Sequence, residues 1–169
     1  MPTMPTMPSM PTRMDTAELE HHRQVATVEI DQFVAEGHIV NFDPAGLERT
    51  LASSKGVAQA WSINALDADT KRANWETING IATIMKKHPY LTWEVHGSTS
   101  LITGSAPWQL AKHHGVNDAR KIMDLLAKDR ANACVTALAT RGVPRSKLYP
   151  TGNGGEGGIS VTFIPQGRK

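Results

Sequence analysis

Arginine is costly in a line of core residues, and this chain has one there. Ile122, Leu126, Arg130, Cys134 and Leu138 recur every four positions, which lines up one face of a helix. A guanidinium in that line must reach water, an internal ion pair or an anion. Its planar fork suits a carboxylate ligand; a snorkelling side chain is the structural alternative. A second candidate is Gly97-Ser98-Thr99-Ser100. It follows an apolar strand, Leu91-Thr92-Trp93-Glu94-Val95, and offers three hydroxyls and backbone N–H groups. Ligand loops of open sheets lie at such strand ends, although Ser, Thr and Gly runs also make ordinary turns.

Other chemistry finds little support. The seven histidines include two adjacent pairs, His21-His22 and His113-His114, whose side chains diverge on a helix. No HExxH and no cysteine partner accompanies them, so no metal and no cofactor is expected. Cys134 is the single cysteine, which excludes an intrachain disulfide and reads as a small core residue. The run Gly152 to Gly158 lacks the Lys-Ser/Thr ending of a phosphate loop and precedes no helix. No Ser/His/Asp or Cys/His order marks a nucleophile, and no enzyme activity is expected. A net charge of +2, from 18 basic and 16 acidic residues, carries no basic stripe for nucleic acid. No run approaches the ~18 apolar residues of a membrane span. The N-terminus has neither the basic start nor the apolar core of a secretory signal. A cytoplasmic or organellar setting is therefore expected rather than a periplasmic one.

The elements that must position these residues follow in order. Residues 1–14 open with MPTMPTMPSMPT. Proline at every third position disfavours helix and sheet and favours polyproline II. Met1, Met4, Met7 and Met10 then share one edge of an extended arm that can meet a partner; a solvated tail is the alternative. Residues 15–37 predict a helix capped at Asp15 and ended by Gly37, with Leu19, Val25, Val28 and Phe33 along its stripe. The β-branched VATVEI leaves a strand open there. His38 to Phe42 predicts a short buried strand. Ala45 to Thr70 reads as a partly ordered connection. Asp69 or Thr70 can start the next helix, which carries Trp75, Ile78, Ala82 and Met85 and stops at Pro89. The helix bearing Arg130 begins at Asn117 or Asp118 and ends at Gly142. Leu148-Tyr149 starts a short strand, a glycine-rich stretch follows, and Ile159 to Ile164 alternates as a final strand.

From Ile39 to Ile164 the chain resembles the OmpA-like domain, the C-terminal module of OmpA, Pal and MotB proteins. Trp93-Glu94-Val95-His96-Gly97-Ser98-Thr99-Ser100 is similar to the strand that runs into that family's Gly-His-Thr-Asp motif. Leu126-Ala127-Lys128-Asp129-Arg130-Ala131 is similar to its Leu-Ser-x-x-Arg-Ala. Arg141-Gly142-Val143-Pro144-Arg145-Ser146-Lys147-Leu148 matches its Gly-Ile/Val-x-x-x-Arg-Leu, and Gly152-Asn153-Gly154 its Gly-x-Gly. Phe42-Asp43 and Lys86-Lys87-His88-Pro89 fall where its first strand and first helix end.

The resemblance implies an α/β sandwich, a βαβαββ sheet with helices packed on one face. It spans residues 38–165, with an insertion at about 101–115 whose Trp108 is a partner-contact candidate. In that family an aspartate and the arginine of Arg-Ala grip the diaminopimelate of the cell-wall peptide. Arg130 keeps the arginine, but Ser100 stands at the aspartate, and Gly157-Gly158-Ile159 stands near a missing Asn-Arg-Arg. Loss of a charge-assisted contact costs roughly 1.5–3 kcal/mol, so the site is expected to be degenerate and peptidoglycan a doubtful partner. The implied role is a non-catalytic structural subunit whose partners are other proteins of an assembly. The alternative is binding of a peptidoglycan peptide or another small carboxylate through Gly97, Ser98, Thr99, Ser100 and Arg130.

Overall fold

The computed structural model describes residues 15–42, 63–64, 66–99, 119–154 and 159–166. Residues 1–14 with Met1, Met4, Met7 and Met10 of the repeat, Ser100, and the 101–115 segment with Trp108 lie outside the described residues. Within them are three helices and a three-stranded mixed sheet: α1 (Thr16–Ala35), α2 (Ala68–Lys86), β1 (Thr92–Thr99), α3 (Ala119–Thr140), β2 (Leu148–Gly154) and β3 (Val161–Gln166). The expected mixed α/β class holds. The strand order is β2-β1-β3, with β1 parallel to β2 and antiparallel to β3.

Local chemistry explains most element ends. The Asp15 carboxylate accepts from the Ala17 and Glu18 amides at 2.8 and 3.3 Å, capping α1. For α2 the cap is Asp67, which accepts from Thr70 at 2.9 Å, rather than the expected Asp69 or Thr70. Helices α1 and α3 close in the same way. Gly37 and Gly142 take φ of 98° and 94°, and the last carbonyls of each helix accept from the amides that follow. Both edge strands carry a proline, Pro150 in β2 and Pro165 in β3. Proline lacks a ladder donor, so it is tolerated at an edge and discourages pairing with another chain.

Alternation along β1 turns Trp93, Val95, Gly97 and Thr99 toward the helices. The inward row continues through Leu148 and Pro165 beside Trp93, and through Gly152 and Val161 beside Gly97. Helix α3 lies across β1 and β2, while α1 packs on α2 and on β3. Ile78, Ile81, Trp93, Val95, Ile122, Leu126 and Leu138 form the buried centre.

Three expectations change. Residues 38–42 form no ladder among the described residues; side chains take their backbone groups instead. The fully buried Asn74 amide accepts from the Asn41 N–H at 2.8 Å and donates to the Asn41 carbonyl at 2.9 Å. Thr77 donates to Ile39 O at 3.4 Å, and Ser160 donates to Val40 O. Second, α1 buries Leu19, Ala26 and Ile30, whereas Val25 and Val28 face solvent. Third, the strand that starts at Leu148-Tyr149 is longer than expected and runs into the glycine-rich stretch as far as Gly154.

Candidate functional site

The structure brings Gly97, Ser98, Thr99 and Arg130 together at the C-terminal end of β1. Glycine at 97 is required by packing. A Cβ there would lie 1.8 Å from the Ala127 carbonyl oxygen, and one at Gly152 would lie 2.2 Å from the Lys128 amide. The backbone of α3 thus rests directly on two neighbouring strands, which no larger residue permits. Met123 meets Gly154 in the same manner, and the Gly154 N–H donates to Asp124 at 2.7 Å.

That close approach carries Arg130 to the strand end. Its Nη1 donates to the Ser98 carbonyl at 2.6 Å. Its guanidinium carbon stands 5.3 Å from the centre of the Phe42 ring, within cation–π range. Burial holds its pKa down at about 10, since a dry site penalises the charged form. Ser98 is fixed from the other side, its N–H donating to Ser160 O at 2.8 Å. The Thr99 hydroxyl is buried with no partner among the described residues. The guanidinium therefore braces the end of β1 and meets an aromatic ring. Phe42, read from sequence only as a strand end, is part of this arrangement.

Two polar clusters escaped the sequence reading. On the outer face of the sheet Thr151 donates to Glu94 at 2.7 Å, and His96 Nδ1 lies 2.7 Å from the Thr151 hydroxyl. These are residue types of nucleophilic catalysis in the wrong order. The hydroxyl proton goes to the carboxylate, so the imidazole must donate and cannot act as the hydroxyl's base. The second cluster ties α1 to the end of α2. His22 Nδ1 lies 3.0 Å from His88 Nδ1, and His88 Nε2 lies 2.7 Å from Glu29. Lys87 completes it by bonding to the other Glu29 oxygen. Burial alone would raise the Glu29 carboxyl, but Lys87 and His88 together hold it below its ordinary range. A head-on Nδ1···Nδ1 contact needs one shared proton, and it leaves those nitrogens no open lone pair for a metal. Among the described residues no group of three or more His, Cys, Asp or Glu is placed to hold a metal ion. The Cys134 thiol is fully buried and its pKa is pushed up by that burial, as a core residue's should be. No helix among the described residues is long and apolar enough to cross a membrane.

No family model and no curated protein matches this chain. Among solved structures, the OmpA-like domain of FopA1 from Francisella tularensis subsp. tularensis SCHU S4 is similar at 20% identity and a TM-score of 0.42. The match covers 62% of this chain and 66% of that one, just under two thirds of its length.

Proposed function

We propose that this is a non-catalytic OmpA-like domain serving as a structural subunit of a larger protein assembly, with a degenerate cell-wall-peptide site. The observation that carries the reading is the 2.6 Å bond from Arg130 to the Ser98 carbonyl. An arginine retained for an anionic ligand would present its fork to the strand end. Here an Nη1 donor is spent on the strand itself, and the guanidinium carbon stands 5.3 Å from the centre of the Phe42 ring. Ser100, at the position the family gives to an aspartate, cannot supply the counter-charge for a ligand ammonium.

In this reading residues 1–14 form an extended arm that lies across a neighbouring subunit, and the 101–115 segment meets a partner beside the former ligand site. The setting is a cytoplasmic or organellar assembly. Purified peptidoglycan provides the test. Absence of retention supports the structural role. Retention that disappears in Arg130→Ala would overturn it in favour of carboxylate binding through Arg130. Deletion of residues 1–12 should weaken incorporation into the assembly and leave the melting temperature nearly unchanged; full incorporation without them would remove the arm from the proposal.

A further inference from the structure

The opposite end of the sheet is built differently. Helices α2 and α3 both terminate there, at Lys86 and Thr140, and the chain turns back into β1 and β2. Between these turns is a pocket of about 130 Å³ walled by Met85, Pro89, Leu91, Trp93, Val143 and Pro144. Its floor belongs to the core: Leu91 and Trp93 are each 1% exposed. An apolar cavity of about 150 Å³ is large enough to hold benzene, so this one admits a group of roughly one aromatic ring. His88 also borders it, but both ring nitrogens are engaged with α1.

Lys86 and Lys147 border the same pocket. Neither has a carboxylate partner among the described residues, unlike Lys87, which is held by Glu29. A Cβ on Gly142 would lie 3.3 Å from Lys86 Nζ, which places that ammonium against the turn after α3. Most of the backbone amides around the pocket are already spent. The amides of Lys87, His88, Leu91, Gly142, Val143 and Lys147 all donate to backbone carbonyls. A phosphate needs a cradle of open N–H groups, and these six are not open. What remains is an apolar slot with ammonium charges on its rim.

We propose that this pocket binds an apolar group of one-ring size bearing a single carboxylate, held by Lys86 and Lys147. Such chemistry belongs to a small aryl or branched carboxylic acid, or to the C-terminal residue of a polypeptide. The site shares no residue with the Arg130 arrangement, so the proposal stands apart from the structural role argued above. Phenylacetate titrated into the full chain and followed by amide chemical shifts is the test. Shifts at Leu91, Trp93 and Val143 that saturate support it, as does at least tenfold weaker binding to the Lys86→Gln/Lys147→Gln double variant. Lys86 is exposed and Lys147 half-buried, and thermal melting of that variant checks that the fold is retained. No saturable shift, or benzyl alcohol binding as tightly as phenylacetate, would overturn the proposal. N-acetylphenylalanyl peptides with a free or amidated C-terminus separate the two sources. Tighter binding of the free-acid peptide than of phenylacetate assigns the site to a chain terminus, and the reverse order assigns it to a small acid.

Discussion

The two ends of β1 are packed on different terms. At the C-terminal end the inward row is Gly152, Gly97 and Val161, and α3 closes onto it until backbone touches backbone. At the N-terminal end the row is Leu148, Trp93 and Pro165, and bulky side chains fill the layer between sheet and helices. A void beside them is bounded by turns. Side-chain size along neighbouring strands therefore decides which end of the sheet can admit a ligand. The end where Arg130 stands is closed by the chain's own backbone. The end where α2 and α3 turn back into the sheet has the space.

The sharpest way to break this comparison is to add bulk at the closed end. Gly97→Val forces its Cβ into the Ala127 carbonyl and lifts α3 from the sheet. We expect a loss of about 3 kcal/mol or more, at or beyond the upper range for overpacking, with the soluble folded fraction falling accordingly in urea titration. Gly152→Ala should behave similarly on the neighbouring strand. A neutral Gly97→Ala would show that α3 does not lie as close as described.

Arg130→Met comes next. It keeps an apolar stem against Phe42 and removes both the bond to Ser98 O and a charge that burial penalises. The lost bond costs about 1–2 kcal/mol, and relief of the desolvated charge offsets part of that. Equilibrium denaturation should show a loss near 1 kcal/mol. Phenylacetate binding at the other end should be unchanged; a coupled loss would mean that the two ends are not independent.

How far the sequence reached follows the same division. Helix caps at Asp15, Gly37 and Gly142 were legible because capping is local chemistry, written within a few residues. So were the strand end at Gly97 to Thr99 and the helix stripe through Arg130, each by its period; that the two meet was implied by the family resemblance. The continuation of β2 through Gly152 and Gly154 was not. Glycine in isolation argues for a turn, and its purpose here, to admit the α3 backbone, exists only in the packed structure. Asn74 was hidden in the same way. It interrupts an apolar helical pattern to satisfy the chain at Asn41, 33 residues away. The pocket was invisible because its walls come from 85–93 and 143–147, and lysines at helix ends are already explained by the helix dipole.

Acid should act on the α1 junction before either end of the sheet. Glu29 carries a pKa below its ordinary value of 4.5 in the folded chain. A depressed carboxyl contributes stability that is present in full above the unfolded value and lost as pH falls through the folded one. Below about pH 4.5, amide exchange in α1 should therefore accelerate ahead of that in α3. Glu29→Gln should remove that difference at a cost of about 1 kcal/mol near neutral pH. Equal acceleration in both helices would show that the cluster of Glu29, Lys87, His88 and His22 does not control how α1 is held.

The smallest expected effect tests which face of α1 is inside. Helical spacing allowed Val25 and Val28 to share the stripe with Leu19 and Phe33, but Val28 is 60% exposed while Ala26 and Ile30 are 0% and 4% exposed. Truncating a buried isoleucine costs about 2–5 kcal/mol because both its transfer energy and a cavity are lost. A solvent-facing valine has little of either to lose, and exposed substitutions usually fall within about 0.5 kcal/mol. Val28→Ser should thus be nearly silent in thermal melting, whereas Ile30→Ala should lower the midpoint by several degrees. The pair reports on the rotation of α1 about its own axis, since a turn that buried Val28 would expose Ile30. Comparable losses from both would mean that α1 is covered on two sides, and that the valine face meets another surface in solution.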